Sequence, residues 1–395
     1  MIKEKIYLLI LTMIYVYGFG NEYKINNINF QKSFGGNDQE RAYDLEVVED
    51  GYIVVGTTCS KGQIKGAKNA WIIKIDKKGN KVWDYPFKGK EEGGFYSINI
   101  LENGEILIGG DVKISDENHD LWLLKLDRNG KFIGQSFFGT KEYESFNAIQ
   151  VLDDNGYILT GSHCDKKFRC NDFIFKVDKN GNEVWKQIKE KYTVLNGIVE
   201  DKNHELHIAG CYHGGKGTHS NGTVWDHIFD KNGKTIKQVE VYINRKEYAY
   251  CPTYIVKEDE NYILAGFGSK KRTKGVSHAW IGKIDKNSKI IWNNIYGNEL
   301  VGEVKDIQKT KDNGYLVISQ LGEKSKNGFV GFDDIEGGGI YVFKIDKRGK
   351  KIWEKYIHNR MNPSAIKEID NGFIVVGNIE IEGKNLDIIV ETFNE

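Results

Sequence analysis

The chain has 395 residues, with 56 Lys or Arg against 56 Asp or Glu, so its formal net charge is zero. A neutral chain gives no electrostatic reason to bind nucleic acid or an anionic membrane surface, and neither partner is expected. Only 3 Pro but 45 Gly, 21 Tyr and 19 Phe are typical of a sheet protein rich in tight turns.

Residues 1–20 have the pattern of a secretion signal. Two Lys in Met1–Lys5 precede an apolar run at Ile6–Tyr17, and Gly18-Phe19-Gly20 supplies small residues at the cleavage position. The run is short for a membrane span, although an uncleaved anchor remains open as the alternative. We therefore expect an exported protein (periplasmic, cell-surface or secreted), without membrane insertion after signal cleavage.

A short strand that ends in or near Gly recurs along the rest of the chain at intervals of roughly fifty residues. The seven copies are Gly51–Gly56, Gly104–Gly109, Gly156–Gly161, His204–Gly210, Asn261–Gly266, Gly314–Ser319 and Gly372–Gly377. A strand repeat of this period indicates a propeller or a similar array.

A second motif follows each of the first six copies: an apolar strand, an Asp, a polar turn and another strand, as in WIIKIDKKGNKVW at Trp71–Trp83. This pattern predicts a hairpin. Its Asp can accept hydrogen bonds from the N–H groups of the turn, and the Gly that usually follows tolerates positive φ. We interpret the six residues as turn residues: Asp76, Asp127, Asp178, Asp230, Asp285 and Asp346.

One further strand precedes each Gly copy, which makes four strands per unit. The sequence therefore predicts an all-β fold, a seven-bladed β-propeller of four-stranded antiparallel blades, as a single domain over residues 21–395. The seventh unit stops after its third strand, Leu386–Phe393, whereas Asn27–Gly36 matches the fourth strand of the other units. We predict that this N-terminal strand pairs with the C-terminal strand and closes the ring.

The unit K-I-D-x-x-G-N-x-x-W occurs at Lys74–Trp83 and, with Val for Ile, at Lys176–Trp185. It resembles the repeat of the quinoprotein-alcohol-dehydrogenase-like propellers, and the longer unit resembles the delta-60-type repeats of exported bacterial proteins. The resemblance implies a Trp that docks in each blade, incompletely here because Gly134, Lys237 and Phe30 replace it. Quinone-dependent members have eight blades and commonly an adjacent Cys pair; this chain has neither, so no cofactor is expected.

Five Cys lie beyond the signal. Cys164 and Cys170 flank one connector between two antiparallel strands, which predicts a disulfide in an oxidising compartment. Cys211 and Cys251 could meet where the fourth and fifth blades join, and Cys59 is then left as a buried thiol.

Metal binding is not expected in the polar loops. Cys211, His213 and His219 share a Gly-rich loop, with His163 in the matching loop of the neighbouring blade, but their spacing follows no zinc pattern. Asp333, Asp334 and Glu336 are interpreted as a solvated acidic loop, because the alternating ligands of a calcium loop are missing.

The connections differ in length between the two faces of the predicted disc. The turns from first to second and from third to fourth strand are short and define the short-turn face; the other connections are long and variable and define the long-connection face. Binding residues concentrate on variable loops held by a rigid scaffold, so we place the site on the long-connection face, around the central channel. The expected channel residues are Asp44, Ser97, Ala148, Asn196, Thr253, Asp306 and Ala365.

The candidate ligand-binding residues are Arg245, Tyr248, Tyr250, His213, His219, Asp44, Asp306 and Tyr96. Aromatic faces, an Arg and polar groups of this kind suit a glycan or a protein surface. We expect a monomeric, non-catalytic binding module. The alternative is a glycan-acting hydrolase or lyase with acid/base groups drawn from Asp44, Asp306, Tyr248 or His213, although no catalytic motif is present.

Overall fold

Antiparallel strands form nearly all of the regular structure in the computed structural model. The described residues are 28–61, 66–87, 92–115, 118–166, 170–189, 193–212, 224–243, 248–270, 277–298, 300–324, 330–331, 338–358, 360–381 and 385–395. None of these residues belongs to a helix with the length and hydrophobicity needed to span a membrane.

The described strands are arranged in seven four-stranded units, called here the first to seventh sheets. Six of them follow chain order, and one parallel bridge joins the second to the third. An N-terminal strand, β1 (Ile28–Phe34), precedes the first unit. The first contains β2 (Glu40–Val48), β3 (Gly51–Thr58), β4 (Asn69–Asp76) and β5 (Lys81–Pro86). The second contains β6 (Gly93–Ile100), β7 (Ile106–Ser115), β8 (Asn118–Leu126) and β9 (Phe132–Phe138). The third contains β10 (Tyr143–Val151), β11 (Tyr157–Cys164), β12 (Cys170–Val177) and β13 (Glu183–Lys189).

The remaining units follow the same order. The fourth contains β14 (Thr193–Glu200), β15 (Leu206–Tyr212), β16 (Val224–Phe229) and β17 (Thr235–Val241). The fifth contains β18 (Tyr248–Glu258), β19 (Asn261–Lys270), β20 (Ser277–Asp285) and β21 (Ile290–Tyr296). The sixth contains β22 (Val301–Lys309) and β23 (Tyr315–Leu321), a small ribbon of β24 (Glu323–Lys324) and β25 (Val330–Gly331), then β26 (Gly339–Ile345) and β27 (Lys351–Ile357). The seventh contains β28 (Asn362–Ile369), β29 (Gly372–Ile381) and β30 (Asn385–Asn394).

The seventh unit takes its fourth strand from the other end of the chain. β1 pairs antiparallel with β30, with Phe30 opposite Thr392 and Phe34 opposite Ile388. The predicted pairing of the N-terminal and C-terminal strands is therefore confirmed. The first strands of successive units are also in contact, from β2 with β6 through to β22 with β28, and β28 contacts β2.

Buried apolar side chains form seven clusters, and each cluster joins two neighbouring sheets. One contains Val54 and Ile73 of the first unit together with Val376 and Val390 of the seventh. Because every sheet packs on both faces, its inner strands are nearly continuous apolar runs, as in the fully buried β3. The core is thus divided among the junctions between sheets.

The six predicted turn Asp residues cap their own hairpins. In the first, Asp76 Oδ1 accepts the N–H groups of Lys78 and Asn80, both at 2.8 Å. The same two bonds recur at Asp127, Asp178, Asp230, Asp285 and Asp346. These carboxylates therefore serve the backbone of the short-turn face.

Aromatic rings dock on the turn Gly of the next sheet. A Cβ added to Gly130 would lie 2.5 Å from the Trp83 ring, and equivalent distances are 2.7 Å from Gly233 to Trp185 and 2.8 Å from Gly349 to Trp292. Two junctions lack the docked ring: Gly181 of the third unit faces Ser136, and the fifth unit has Ser288 in place of Gly, next to the unit with Lys237. Docking is therefore missing in the sheets with Gly134 and Lys237, as the sequence predicted, whereas the Phe30 ring does dock, 2.7 Å from a Cβ added to Gly79.

Gly130→Ala should destabilise the protein more than Gly104→Ala. Both glycines have φ near +80°, so both substitutions carry the same backbone strain, but a Cβ on Gly104 would meet only Arg128 Cβ at 3.6 Å. Overpacking against Trp83 should add about 1–3 kcal/mol to the loss. Urea unfolding of the two variants measures the difference, and equal losses would show that the ring does not rest on this turn.

Two disulfides are present. Cys164 is bonded to Cys170 at the ends of β11 and β12, and Cys211 of β15 is bonded to Cys251 of β18. The second bond links the fourth sheet to the fifth. Cys59 is a free thiol that is only half-buried; burial raises its pKa.

Candidate functional site

A cavity of about 540 Å³ is lined by the first strands of all seven units. Six of the expected channel residues line it: Asp44, Ser97, Ala148, Thr253, Asp306 and Ala365. In the fourth unit the lining residues are Gly197 and Ile198, and the side chain of Asn196 lies outside the described part. The six residues that were aligned by the Gly motif therefore line one common cavity.

Asp44 and Asp306 each tie two neighbouring first strands together. Asp44 accepts the N–H of the following residue at 2.8 Å and the N–H of Ile98, in the next sheet, at 3.0 Å. Asp306 repeats the arrangement, with the N–H of its own neighbour at 2.7 Å and that of Ile366 at 2.9 Å. Both oxygens of each carboxylate thus bond backbone groups that the inner strands would otherwise leave unpaired.

The channel concentrates negative charge. Burial raises the pKa of Asp44 to about 7, opposed by Lys367 and assisted by Glu46 and Asp306. Burial also raises the pKa of Asp306. Lys367 lies 2.8 Å from Glu46, and although burial acts to lower its pKa, the surrounding carboxylates outweigh burial and raise it. The Lys367 ammonium therefore interacts with three carboxyl groups, those of Asp44, Glu46 and Asp306.

Asp44→Asn should gain stability relative to the wild type as the pH rises. The folded-state pKa of Asp44, about 7, lies above its usual value of 3.8, so between about pH 4 and 7 the folded state binds a proton that the unfolded state has released. Asp44 therefore lowers stability progressively across that window, and Asn cannot ionise. We expect the stability difference to grow by up to about 1.4 kcal/mol per pH unit.

Urea unfolding at a series of pH values from 5 to 8 measures this difference. Asp178→Asn is the matched control, because turn hydrogen bonds lower the pKa of Asp178 and keep it ionised throughout the range. The control should differ from the wild type by a constant amount. A constant offset for Asp44→Asn as well would mean that Asp44 is already ionised at pH 5.

Two residues that line the cavity, Tyr43 and Tyr96, form one group with three polar residues beside them, Lys68, Asp111 and His119. This group lies toward the long-connection face and is called here the mouth cluster. Lys68 Nζ donates to Tyr96 Oη at 2.7 Å, and Tyr96 O–H donates to Asp111 Oδ1 at 3.2 Å. The rings of Tyr43 and Tyr96 meet edge to face, 4.8 Å apart. The first and second sheets thus jointly hold an ammonium, two phenols and a carboxyl group at the channel entrance.

The third sheet contributes the rim of this entrance. One parallel bridge joins Tyr143 of β10 to His119 of β8, and their rings lie 4.4 Å apart. Tyr143 is 38% exposed. The buried Nδ1 of His119 has no hydrogen-bond partner among the described residues. A buried polar atom without a partner is costly, and a ligand would relieve that cost.

Burial shifts the titration of the mouth cluster. It lowers the pKa of the Lys68 amine, which Asp111 partly restores. It raises the pKa of the Asp111 carboxyl and lowers the pKa of the His119 imidazole. Shifts of this kind gather at functional sites because such sites are desolvated and charged.

The other predicted site residues lie in different parts of the structure. Tyr96 belongs to the mouth cluster. Tyr248 and Tyr250, two of the candidate ligand-binding residues, lie at the start of β18. Tyr250 is only 6% exposed and packs on the Trp280 ring at 5.1 Å, so its side chain belongs to the core and the prediction that it is open to a ligand is wrong. Arg245, His213 and His219, like the acidic loop residues Asp333, Asp334 and Glu336, lie outside the described residues.

Sequence reasoning missed Lys68, Asp111 and His119. They lie just before β4, near the end of β7 and at the start of β8, in two different sheets. One signal was available in the sequence. In the second unit, Asp111 follows two residues after the Gly copy, and the third strand begins with Asn-His-Asp. Polar residues at both ends of adjacent strands on the long-connection face indicate a site more directly than loop length.

No family model matches the chain, and no curated protein matches it. The specific quinoprotein-like or delta-60-type assignment is therefore without support from a family match. Among solved structures, the chain is similar to the β-propeller domain of the Trilobed protease from Pyrococcus furiosus, with a TM-score of 0.52 and 11% identity over 90% of this chain and 98% of that one.

Drosophila Plexin A, solved in complex with Semaphorin 1b, gives a TM-score of 0.51 at 8% identity over 94% of this chain and 88% of that one. A protein of unknown function from Dyadobacter fermentans DSM 18053 gives 0.51 at 13% identity over 77% and 95%. At these identities the likeness concerns the fold alone. The chain has the all-β, multi-sheet architecture of β-propellers.

Proposed function

We propose that the seven sheets form a closed seven-bladed propeller, in which β1 completes the last blade and tryptophan-docking turns line the short-turn face. Contacts between the last and first sheets support closure. Ser364 Oγ donates to the Ala42 carbonyl at 2.7 Å, and Asn378 Oδ1 accepts the Ala42 N–H at 2.8 Å. Lys367 reaches Glu46 across the same junction.

We propose that this propeller is a non-catalytic binding module whose ligand enters at the channel mouth on the long-connection face. The observation that carries the proposal is the mouth cluster, with phenol rings, an ammonium and a carboxyl group at the entrance of a cavity of about 540 Å³. Ring faces stack on sugars, and phenol, ammonium and carboxyl groups bond their hydroxyls. A glycan therefore fits this chemistry best, ahead of a protein surface.

The hydrogen bonds of the cavity carboxylates favour a binding role over a hydrolase or lyase. Asp44 and Asp306 are the two carboxyl groups among the four acid/base candidates of the enzymatic alternative, yet both oxygens of each accept backbone N–H groups, one from the same strand and one from the next sheet. A general acid or base has to exchange protons with substrate. These two groups instead support the inner strands.

We also propose that the protein acts outside the cytoplasmic membrane. The bonds Cys164–Cys170 and Cys211–Cys251 support this location, because disulfides persist in oxidising compartments and are rare in the cytosol. Peptide mapping without reduction, on protein recovered from the exported fraction, tests the location directly. Recovery of both pairs as free thiols in cytosolic protein would count against it.

A glycan-array screen of the full chain tests the function, with every hit then incubated with the protein and examined for cleavage. We expect binding without turnover. Bond cleavage at the hits would favour the hydrolase or lyase instead. Absence of any glycan binding, together with saturable capture of a protein ligand that competes at the mouth cluster, would replace the glycan by a protein surface.

A further inference from the structure

We propose that the fourth sheet carries a binding site for a divalent transition-metal ion, formed by Asp201, Glu205 and His207. These residues lie at the turn between β14 and β15, on the short-turn face, away from the mouth cluster. Their potential ligand atoms, two carboxylate oxygens and one imidazole nitrogen, all lie within 4.8 Å of one another. The proposal is independent of the ligand that the long-connection face binds.

In most of the other sheets a Lys side chain lies at the position that corresponds to this site. In five of them a Lys of the third strand forms an ion pair with an acid at or beside the turn between the first two strands. The pairs are Lys74–Asp50, Lys125–Glu105, Lys176–Asp154, Lys283–Glu258 and Lys344–Asp312. The short-turn end of each of these sheets therefore has its own cation.

In the fourth sheet the basic residue lies on the second strand and the aliphatic residue on the third. In these five sheets the Lys lies opposite an aliphatic residue of the second strand, as Lys74 lies opposite Ile53, whereas the seventh sheet has Thr392 at this position. In the fourth, the third strand has Ile228 and the residue opposite is His207. The acids Asp201 and Glu205 remain, but no ion pair joins either of them to Lys or Arg within the described part of the chain. Two carboxylates thus face an imidazole where an ammonium is otherwise found.

The imidazole is held in the orientation that a metal ligand requires. His207 is 2% exposed, and its Nδ1 lies 3.0 Å from Asp226 Oδ2. Ser288 Oγ, from the turn of the fifth sheet, donates to the same carboxylate oxygen at 2.7 Å. With Nδ1–H donated to Asp226, the lone pair is on Nε2. Metal-binding His residues almost always donate their second nitrogen to a carboxylate or carbonyl in this way.

The carboxylate of Asp201 is also held in place. Asp201 Oδ1 accepts the N–H groups of Asn203 and Glu205, both at 2.8 Å, which fixes the carboxylate in its turn. Its Oδ2 has only a 3.2 Å contact from the Asn203 amide. The Tyr262 ring packs on His207 at 4.3 Å and covers the site from the fifth sheet.

The donor set selects the kind of ion. One imidazole nitrogen with two carboxylate oxygens suits zinc, cobalt or manganese, with water in the remaining positions. Magnesium and calcium prefer oxygen ligands throughout. A bound ion would supply the positive charge that a Lys supplies in five of the other sheets.

Equilibrium dialysis of the full chain against Zn²⁺ after chelator treatment, with metal quantified per chain, tests the site. We expect Glu205→Gln and His207→Gln to bind one equivalent less than the wild type, or that equivalent at least about tenfold more weakly. Co²⁺ should give a visible absorption band in the wild type that both variants lose. Glu205→Gln removes only a charge from a half-buried side chain, so it tests the site even if His207→Gln is unstable.

Two further variants sharpen the result. Ile228→Lys introduces the residue found in five other sheets and should abolish the same equivalent of Zn²⁺, because an ammonium would neutralise the carboxylates. His204→Gln is the matched control: His204 lies in a neighbouring group with Asp153 and Glu200, pairs with Glu200 at 2.9 Å and is exposed. It should leave binding unchanged. Unaltered binding in Glu205→Gln, or loss in His204→Gln alone, would overturn the assignment.

Discussion

Deleting residues 26–36 should lower the free energy of unfolding by at least about 3 kcal/mol and cause aggregation, because β30 would lose its only partner on one side. Phe30 and Phe34 of β1 pack on the cluster that joins the seventh sheet to the first. Their removal opens that cluster to water and leaves a row of unpaired backbone groups along β30. Urea unfolding and light scattering measure the two effects.

Moving the strand to the other end of the chain provides the control. Phe393 lies opposite both Phe373 and Ile28, just as Ile75 lies opposite both Tyr52 and Lys81. In the first sheet, β4 and β5 are joined by a turn that includes Lys-Lys-Gly-Asn at residues 77–80. The same turn placed after Asn394 and followed by residues 28–36 should rebuild the blade as a continuous hairpin.

This transposed chain should regain at least the wild-type stability, because its closing strand is now attached through a short turn. If the deletion leaves stability unchanged, β1 does not support the ring. If the transposed strand fails to restore stability, the strand acts through its connection to β2 rather than through its pairing with β30.

The strands and turns could be predicted because their signals are local and repeated. A turn Asp such as Asp76 bonds residues two and four positions ahead, so the spacing within one unit was sufficient. The closing strand could be predicted for the same reason, since Asn27–Gly36 matches the fourth strand of the other units. The Gly motif also fixed the register of the first strands, which is why Asp44 and Asp306 were correctly placed in the channel.

The mouth cluster could not be predicted because it depends on packing between sheets. Lys68 and Tyr96 are in different sheets, and their 2.7 Å bond exists only because those sheets meet side by side. The burial of Tyr250 depends on where β18 begins and on the Trp280 ring beside it. The exchange of Ile228 and His207 is visible in the sequence, but its meaning requires the cross-strand register.

Lys68→Met should weaken binding of a glycan identified on the array at least about tenfold, or roughly 1.4 kcal/mol. Met keeps an unbranched apolar stem beside the Tyr43 and Tyr96 rings but removes the ammonium that bonds Tyr96. Tyr96→Phe should have a similar effect, since it takes the donor away from Asp111. Aromatic and cationic groups at the centre of a concave site contribute most of the binding energy. Isothermal titration with the purified glycan measures both changes.

Charge reversal of Lys77 or Lys179, in turns of the short-turn face, is the control and should leave the affinity unchanged. These side chains lie at the opposite ends of the strands from the mouth cluster, and exposed charges separated by more than a Debye length are largely screened at physiological salt. Urea unfolding of each variant separates lost binding from lost stability. Full affinity in both Lys68→Met and Tyr96→Phe, with weakening only in the Lys77 or Lys179 variants, would place the ligand on the short-turn face, where the proposed metal site lies.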